Sequence, residues 1–211
     1  MHVIALLAQK GGVGKTTLAL HWAVEAAREH YKKVVIIDMD PQASASRWYQ
    51  RRKRASPILL RADGSNVAKA VAACRTDAVD LVLIDTRAQV ERSSVVAARL
   101  ADLAVLPCGP SVLDIEALAQ TVNIVKRAET RAVIVINRGR HSSNINATAA
   151  TVLKQYELPV CPALVMSRAA LEDVFIAGRA ISELRPKSKA AQEITVSWQW
   201  IAHQLQHQRD E

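Results

Sequence analysis

One short stretch near the start of the chain, Gly11-Gly12-Val13-Gly14-Lys15-Thr16-Thr17, restricts the possible folds more than any other. An apolar run (3–8) leads into it and a helical pattern (16–30) leads out of it. Strand, glycine turn and helix in that order make a P-loop. The glycines free the backbone to wrap phosphates, and amide N–H groups at the helix N-terminus point at the anion. No glycine stands five residues before Gly14; a second lysine, Lys10, precedes the glycines instead. Lys15 is expected to reach the β- and γ-phosphates of ATP, and the Thr16 hydroxyl to ligate Mg²⁺. Gly11, Gly12, Val13, Gly14, Lys15, Thr16 and Thr17 are therefore candidate ATP/ADP-binding residues.

The rest of the chain repeats this alternation. Runs at 34–38, 81–85, 103–107, 132–137 and 160–165 read as strands, and 57–60 as a short additional one. Helical patterns fill 43–54, 65–74, 91–100, 113–127 and 145–156. Strands alternating with helices of this length predict an α/β fold with a mostly parallel twisted sheet and helices on both faces. The ligand should lie beyond the carboxyl ends of the strands. No repeat or linker interrupts the pattern over 211 residues, so one domain spanning 1–211 is expected. The apolar half of the sequence is poor in aromatics, which suits an aliphatic core around a buried parallel sheet.

A last helix is expected at about 189–208. Ala191, Ile194, Trp198, Ile201 and Leu205 form one apolar stripe, read as a helix lying on the core. Gln199, Gln204, Gln206, His203 and His207 on its other face are not the Lys/Arg face of a membrane-surface helix. No run approaches the length of a spanning helix, and the N-terminal apolar run has no basic region before it, so no signal peptide is read. Cys74, Cys108 and Cys161 show no metal or redox spacing and read as buried free thiols, fitting a reducing cytoplasm.

Carboxylates stand where a P-loop needs them. Asp38 and Asp40 close the second strand in Asp-Met-Asp-Pro-Gln, and Asp85 closes the strand Leu-Val-Leu-Ile-Asp. An aspartate there can hold the magnesium through a water. The three motifs in this order, Lys-Gly-Gly-Val-Gly-Lys-Thr-Thr, Asp-Met-Asp-Pro-Gln and Leu-Ile-Asp-Thr, resemble the deviant Walker A ATPases of the ParA/MinD family, most closely its small partition members. The resemblance runs from residue 3 to about 205. It implies a homodimer with ATP sandwiched at its interface. Lys10 would cross that interface to the partner's phosphates, acting as an arginine finger does. It further implies Lys15 on the phosphates, Asp40 orienting the attacking water, Asp38 in the magnesium-water shell and Asp85 as the Walker B aspartate. Asn137, ending Val-Ile-Val-Ile-Asn, would read the adenine edge. Two departures stand out: Arg87-Ala88 replaces the family's prolines after Asp85-Thr86, and Ala8 stands where relatives often have asparagine.

The resemblance also implies a choice of cargo. The absence of Cys-x-x-Cys removes the iron–sulfur carriers, and the terminal helix argues against a stable membrane anchor. What remains is a partition ATPase that binds nonspecific DNA and is released through a ParB-like adaptor, or a positioning ATPase whose cargo is a protein array or envelope machine. A third reading is a degenerate module that binds nucleotide and barely hydrolyses it. Lys and Arg exceed Asp and Glu by 8, giving a pI near 9.7, and this favours a polyanionic partner. Arg168, Arg179, Arg185, Lys187 and Lys189 are the candidate phosphate-binding face, with scattered solvated charges as the alternative. The densest basic run, Arg51-Arg52-Lys53-Arg54, reads either as a solvated helix end or as a second DNA or partner contact.

Overall fold

The computed structural model describes residues 1–29, 31–88, 91–141 and 144–206. Its centre is a seven-stranded, wholly parallel sheet in the order β3-β2-β4-β1-β5-β6-β7. The strands are β1 (His2–Leu6), β2 (Val34–Asp38), β3 (Ile58–Arg61), β4 (Leu81–Asp85), β5 (Leu103–Cys108), β6 (Ala132–Gly139) and β7 (Val165–Met166). The helices are α1 (Lys15–Glu29), α2 (Ser44–Arg51), α3 (Val67–Thr76), α4 (Glu91–Leu100), α5 (Val112–Ala128), α6 (Ile145–Leu153), α7 (Ala170–Asp173), α8 (Ile181–Leu184) and α9 (Lys189–Gln206).

Side chains alternate across each strand, so one run of aliphatic residues supplies two cores. Ile4, Leu6, Ile36, Leu83, Val105 and Val135 face a layer built on α1 and α9. Val3, Ala5, Ile37, Ile84, Leu106 and Ile136 face the layer of α3, α4 and α5. This explains why the strands read as unbroken apolar runs: both of their faces are covered. The expected stripe of α9 is buried in full, and α9 also bonds α1 through polar groups. Trp22 Nε1 donates to Ser197 Oγ at 3.0 Å, and Thr195 Oγ1 donates to Glu25 at 2.8 Å. Residues 207–208 of the expected last helix lie outside the described residues, as does residue 30 of the helix expected at 16–30. All three cysteines are buried and free, and burial pushes the Cys108 and Cys161 thiols up to about 12 and about 11.

Two expected elements are corrected. The strand at 160–165 shrinks to Val165–Met166 plus one bridge between Val160 and Ile134. Pro159 and Pro162 flank that bridge, and neither has an N–H to continue a ladder. The helix expected to reach Arg54 stops at Arg51, because Arg52 turns to an extended conformation (φ −76°, ψ 126°) and takes its guanidinium inward.

Candidate nucleotide-binding site

Strand register assembles the site. In the sheet Asp38 pairs with Asp85, and Asp85 with Leu6, the last residue of the strand that feeds the P-loop. Residues distant in sequence thus meet at one edge, where the order of the strands reverses around β1.

The loop itself depends on two glycines with positive φ, Gly12 at 76° and Gly14 at 92°. At Gly14 a Cβ would stand 2.1 Å from Asn137 Nδ2, so the close approach of β6 requires glycine as well. Asn137 is buried and donates to the Val13 carbonyl at 2.8 Å, tying β6 to the loop. Arg138, beside it, donates to the Gly12 carbonyl at 2.6 Å from a backbone with φ 59°. Arg138 is invisible in the sequence, because neither its conformation nor its reach to the loop has a local signature.

Lys15 is buried, and its ammonium donates to the Ala8 carbonyl at 3.2 Å. Burial lowers its pKa, opposed by the nearby Asp85 and Asp40 carboxylates. Thr16 Oγ1 donates to Asp85 Oδ2 at 2.7 Å. The other Asp85 oxygen, Oδ1, is buried with no hydrogen-bond partner among the described residues. Burial raises the Asp85 pKa to about 7, against the hydrogen bond from Thr16. A threonine hydroxyl, an orphaned carboxylate oxygen and a buried lysine, at the N-terminus of α1, are a set that fits a magnesium nucleotide. Thr16 and Asp85 would hold the ion, directly or through water.

Asp38 is engaged on both oxygens. One accepts the Asp40 amide at 3.1 Å; the other accepts the Ser46 amide at 3.0 Å and the Ser46 hydroxyl at 2.7 Å. It therefore anchors the first turn of α2, a use of Asp38 that the sequence did not reveal. Asp40 is partly exposed in a cleft of 540 Å³ that also holds Gly11, Lys15, Thr16, Arg47 and Ala88. Its Oδ1 accepts the Gln42 amide at 2.9 Å. Arg87 is exposed. A narrower cleft of 280 Å³ adjoins, lined by Asn137, Arg138, Met166, Ser167 and Arg168.

Lys10 points away from its own loop. Its ammonium meets Asp114 at 2.6 Å, where Asp114 also takes the Ser111 hydroxyl at the start of α5. Burial raises the Asp114 pKa, but the hydrogen bonds from Lys10 and Ser111 outweigh it and hold the carboxyl below its ordinary value.

The five expected phosphate contacts separate. Arg168 forms a bidentate pair with Glu193, at 2.6 and 3.2 Å, on the rim of the narrower cleft. Arg179 pairs with Glu183 at 3.2 Å. Arg185, Lys187 and Lys189 are exposed, and no carboxylate is paired with them among the described residues. Trp48 is buried and Tyr49 and Trp200 pack against the core, as core aromatics do.

The family model of the CobQ/CobB/MinD/ParA nucleotide binding domain matches residues 4–175. The "Maintenance of carboxysome distribution protein A" of Gloeobacter kilaueensis is 29% identical over 206 residues, covering 96% of this chain and 93% of that protein. The "Chromosome-partitioning ATPase Soj" of Thermus thermophilus is 54% identical, but over only 43 residues, 20% of this chain and 17% of its own. Among solved structures, the cell division ATPase MinD of Pyrococcus furiosus superposes with a TM-score of 0.77 at 20% identity, covering 96% of this chain and 98% of its own. The MinC:MinD complex of Aquifex aeolicus gives 0.81 at 20% identity and 96% of both chains. These likenesses in structure establish the fold, a single parallel-sheet P-loop domain.

Proposed function

Since this chain belongs to the CobQ/CobB/MinD/ParA nucleotide-binding family, we propose that it is an ATP-driven switch that dimerises over nucleotide, grips DNA without sequence preference, and positions a cargo through a partner protein. The observation that carries the reading is the pairing of two differently held lysines. Lys15 waits on the Ala8 carbonyl within the phosphate cleft, while Lys10 is tied to Asp114 outside it. A cation kept off its own site could serve a second protomer's phosphates once it leaves Asp114.

Bound ATP with Mg²⁺ supplies the γ-phosphoryl group and neutralises its charge. The chain's own groups do the rest. Lys15 exchanges a neutral carbonyl for phosphate oxygens, a stronger charge-assisted contact. The P-loop amides point at the same anion. Asp40, partly exposed in the cleft, orients the water. Asn137 closes the loop from β6 and lines the adjoining cleft, where it would face the adenine of a bound nucleotide. Asp38 transmits the state of this site to α2 through Ser46. Hydrolysis by one such site is expected to be slow and to rise when an adaptor completes it.

The cargo has two readings within this scheme. The carboxysome distribution relative aligns along almost the whole chain, whereas the chromosome-partitioning relative aligns over 43 residues. That contrast supports a protein body as the cargo, and the DNA part of the reading rests on the net basic charge of the chain. The test is DNA binding with and without ATP and magnesium, across salt, for wild type and Lys15→Ala. Binding that needs ATP, ignores sequence and weakens with salt supports the reading. ATP-driven dimers that leave DNA unbound at low salt would remove DNA from it. Absence of ATP-driven dimers would remove the switch itself.

A further inference from the structure

Glu183, on α8, is almost buried and receives guanidinium groups from three arginines. Arg52, with its side chain 2% exposed, is held at 3.0 Å through both terminal nitrogens and lies over the Trp48 ring. Arg179 reaches the same carboxylate at 3.2 Å and Arg54 at 3.5 Å. One carboxylate cannot neutralise three guanidiniums. Arg52 makes the bidentate pair and uses its charge, so Arg54 and Arg179 remain largely uncompensated. Arg54 is 58% exposed, and Lys53 and Arg185 beside this cluster are exposed as well. Two basic stretches far apart in sequence thus close into one patch. Backbone contact fixes the junction: a Cβ on Gly178 would lie 2.4 Å from the Arg51 carbonyl carbon.

We propose that Lys53 and Arg54, at the end of α2, form with Arg179 and Arg185 a single binding patch for the phosphate backbone of duplex DNA, built around Glu183. The inference rests on the DNA-binding reading above and adds a site on the switch helix itself. Lys53 and Arg185 are exposed with no carboxylate paired to them among the described residues, and Arg54 and Arg179 share one carboxylate with Arg52; such an excess of positive charge matches a run of phosphates better than a discrete ligand. The patch is also tied to nucleotide. The first turn of α2 hangs on Asp38 through the Ser46 amide and hydroxyl, about 7.5 Å along the helix from its end at Arg51. A shift of Asp38 in the nucleotide site would move α2 and so the position of Lys53 and Arg54, just past its end, relative to Arg179 and Arg185 on either side of α8.

The experiment measures affinity of the full chain, with ATP and magnesium, for a random-sequence duplex from about 50 to 200 mM salt. Wild type is compared with Lys53→Gln/Arg54→Gln and with a charge-matched control, Lys69→Gln/Lys126→Gln, on exposed positions of α3 and α5. ATP affinity and thermal melting check that each variant is folded. The patch predicts that the first variant loses about 2 per protomer from the log–log salt slope while the control keeps the wild-type slope. Equal slopes in wild type and the Lys53/Arg54 variant would overturn the patch and leave DNA binding in place. No DNA binding by wild type overturns both the patch and the DNA reading. A loss confined to anionic vesicles, with DNA binding intact, would reassign these cations to a membrane surface and overturn the proposal.

Discussion

Asp85→Asn should make the nucleotide-free protein increasingly more stable than wild type as pH rises. Burial raises the Asp85 pKa from its ordinary 3.8 to about 7. The unfolded chain therefore gives up this proton first, near pH 4, while the fold holds it until near pH 7. Stability contributed by the protonated form is complete below pH 4 and declines as pH climbs towards 7. Between about pH 5 and pH 8 the wild type should lose roughly 2.5 kcal/mol through this one group, and the asparagine variant loses none of it. The Thr16 hydroxyl keeps an acceptor in the variant, since an amide oxygen can take its proton as the carboxylate does.

A second group hides this in the wild type. His21 is fully buried between Leu171 and Ile181, and desolvation lowers its pKa from 6.5 to about 4. The unfolded histidine takes up a proton first, so its contribution is complete above about pH 6.5 and is lost as pH falls towards 4. The two slopes oppose each other in the same window. The clean quantity is the difference in unfolding free energy between Asp85→Asn and wild type, since His21 is common to both. Urea denaturation with a chelator, at about pH 5 and pH 8, should show that difference growing by roughly 2–3 kcal/mol in favour of the variant. A difference that stays level would refute a protonated, burial-strained Asp85. The variant's own profile should fall on acidification, with His21 contributing below about pH 6.5 and the depressed carboxyls of Glu183 and Asp114 adding to the loss at lower pH.

Three further perturbations follow. Gly178→Ala combines a positive φ of 63° with backbone contacts of 2.4–2.6 Å at Arg51 and Arg52, and should destabilise by about 2–4 kcal/mol in urea melts. Glu183→Gln leaves the buried Arg52 without its counter-charge; a loss of about 3 kcal/mol is expected, far more than for exposed pairs, and equal stability would show that Arg52 finds another acceptor. Asp114→Asn releases Lys10 from a partly exposed pair, so stability should change by less than about 1 kcal/mol. The same variant should dimerise at lower ATP concentration in analytical ultracentrifugation, and an unchanged or weaker response would show that Asp114 does not restrain Lys10.

The readable parts of this sequence are those whose chemistry is local. A P-loop announces itself because glycines, lysine and threonines act within one turn of chain, and Asp38 and Asp85 because strand ends are marked by the close of an apolar run. The α9 stripe was legible for the same reason, being periodic within one helix. What stayed hidden lies in pairs distant in sequence. Asp114 for Lys10, Ser46 for Asp38, Glu193 for Arg168 and Glu183 for Arg52 are ordinary polar residues until the fold brings them together. The strand at 160–165 failed differently: its apolar composition was right, but Pro159 and Pro162 leave too few amides to extend the sheet.

Those hidden pairs change how the basic residues are understood. Counted along the chain, Arg168 and Arg179 look equivalent to Arg185 and Lys187, and Arg51 to Arg54 look like one helix end. In the fold, Arg168 spends its charge on Glu193 beside the narrower cleft, Arg52 spends its own on Glu183, and Arg51 lines the wider cleft. Four adjacent basic residues thus divide among three environments, the wider cleft, the Glu183 pocket and solvent, within one turn of α2 and its exit. The division follows from where α2 stops. Had the helix continued to Arg54, Arg52 would project about 100° from Arg51 on the same cylinder rather than turning into the Glu183 pocket. The break at Arg52 is what lets one short helix present cations to a nucleotide cleft on one side and to solvent at its end. A switch in which nucleotide and polyanion are sensed by the same element needs that arrangement, and a motif search that treats the run as a single feature cannot find it.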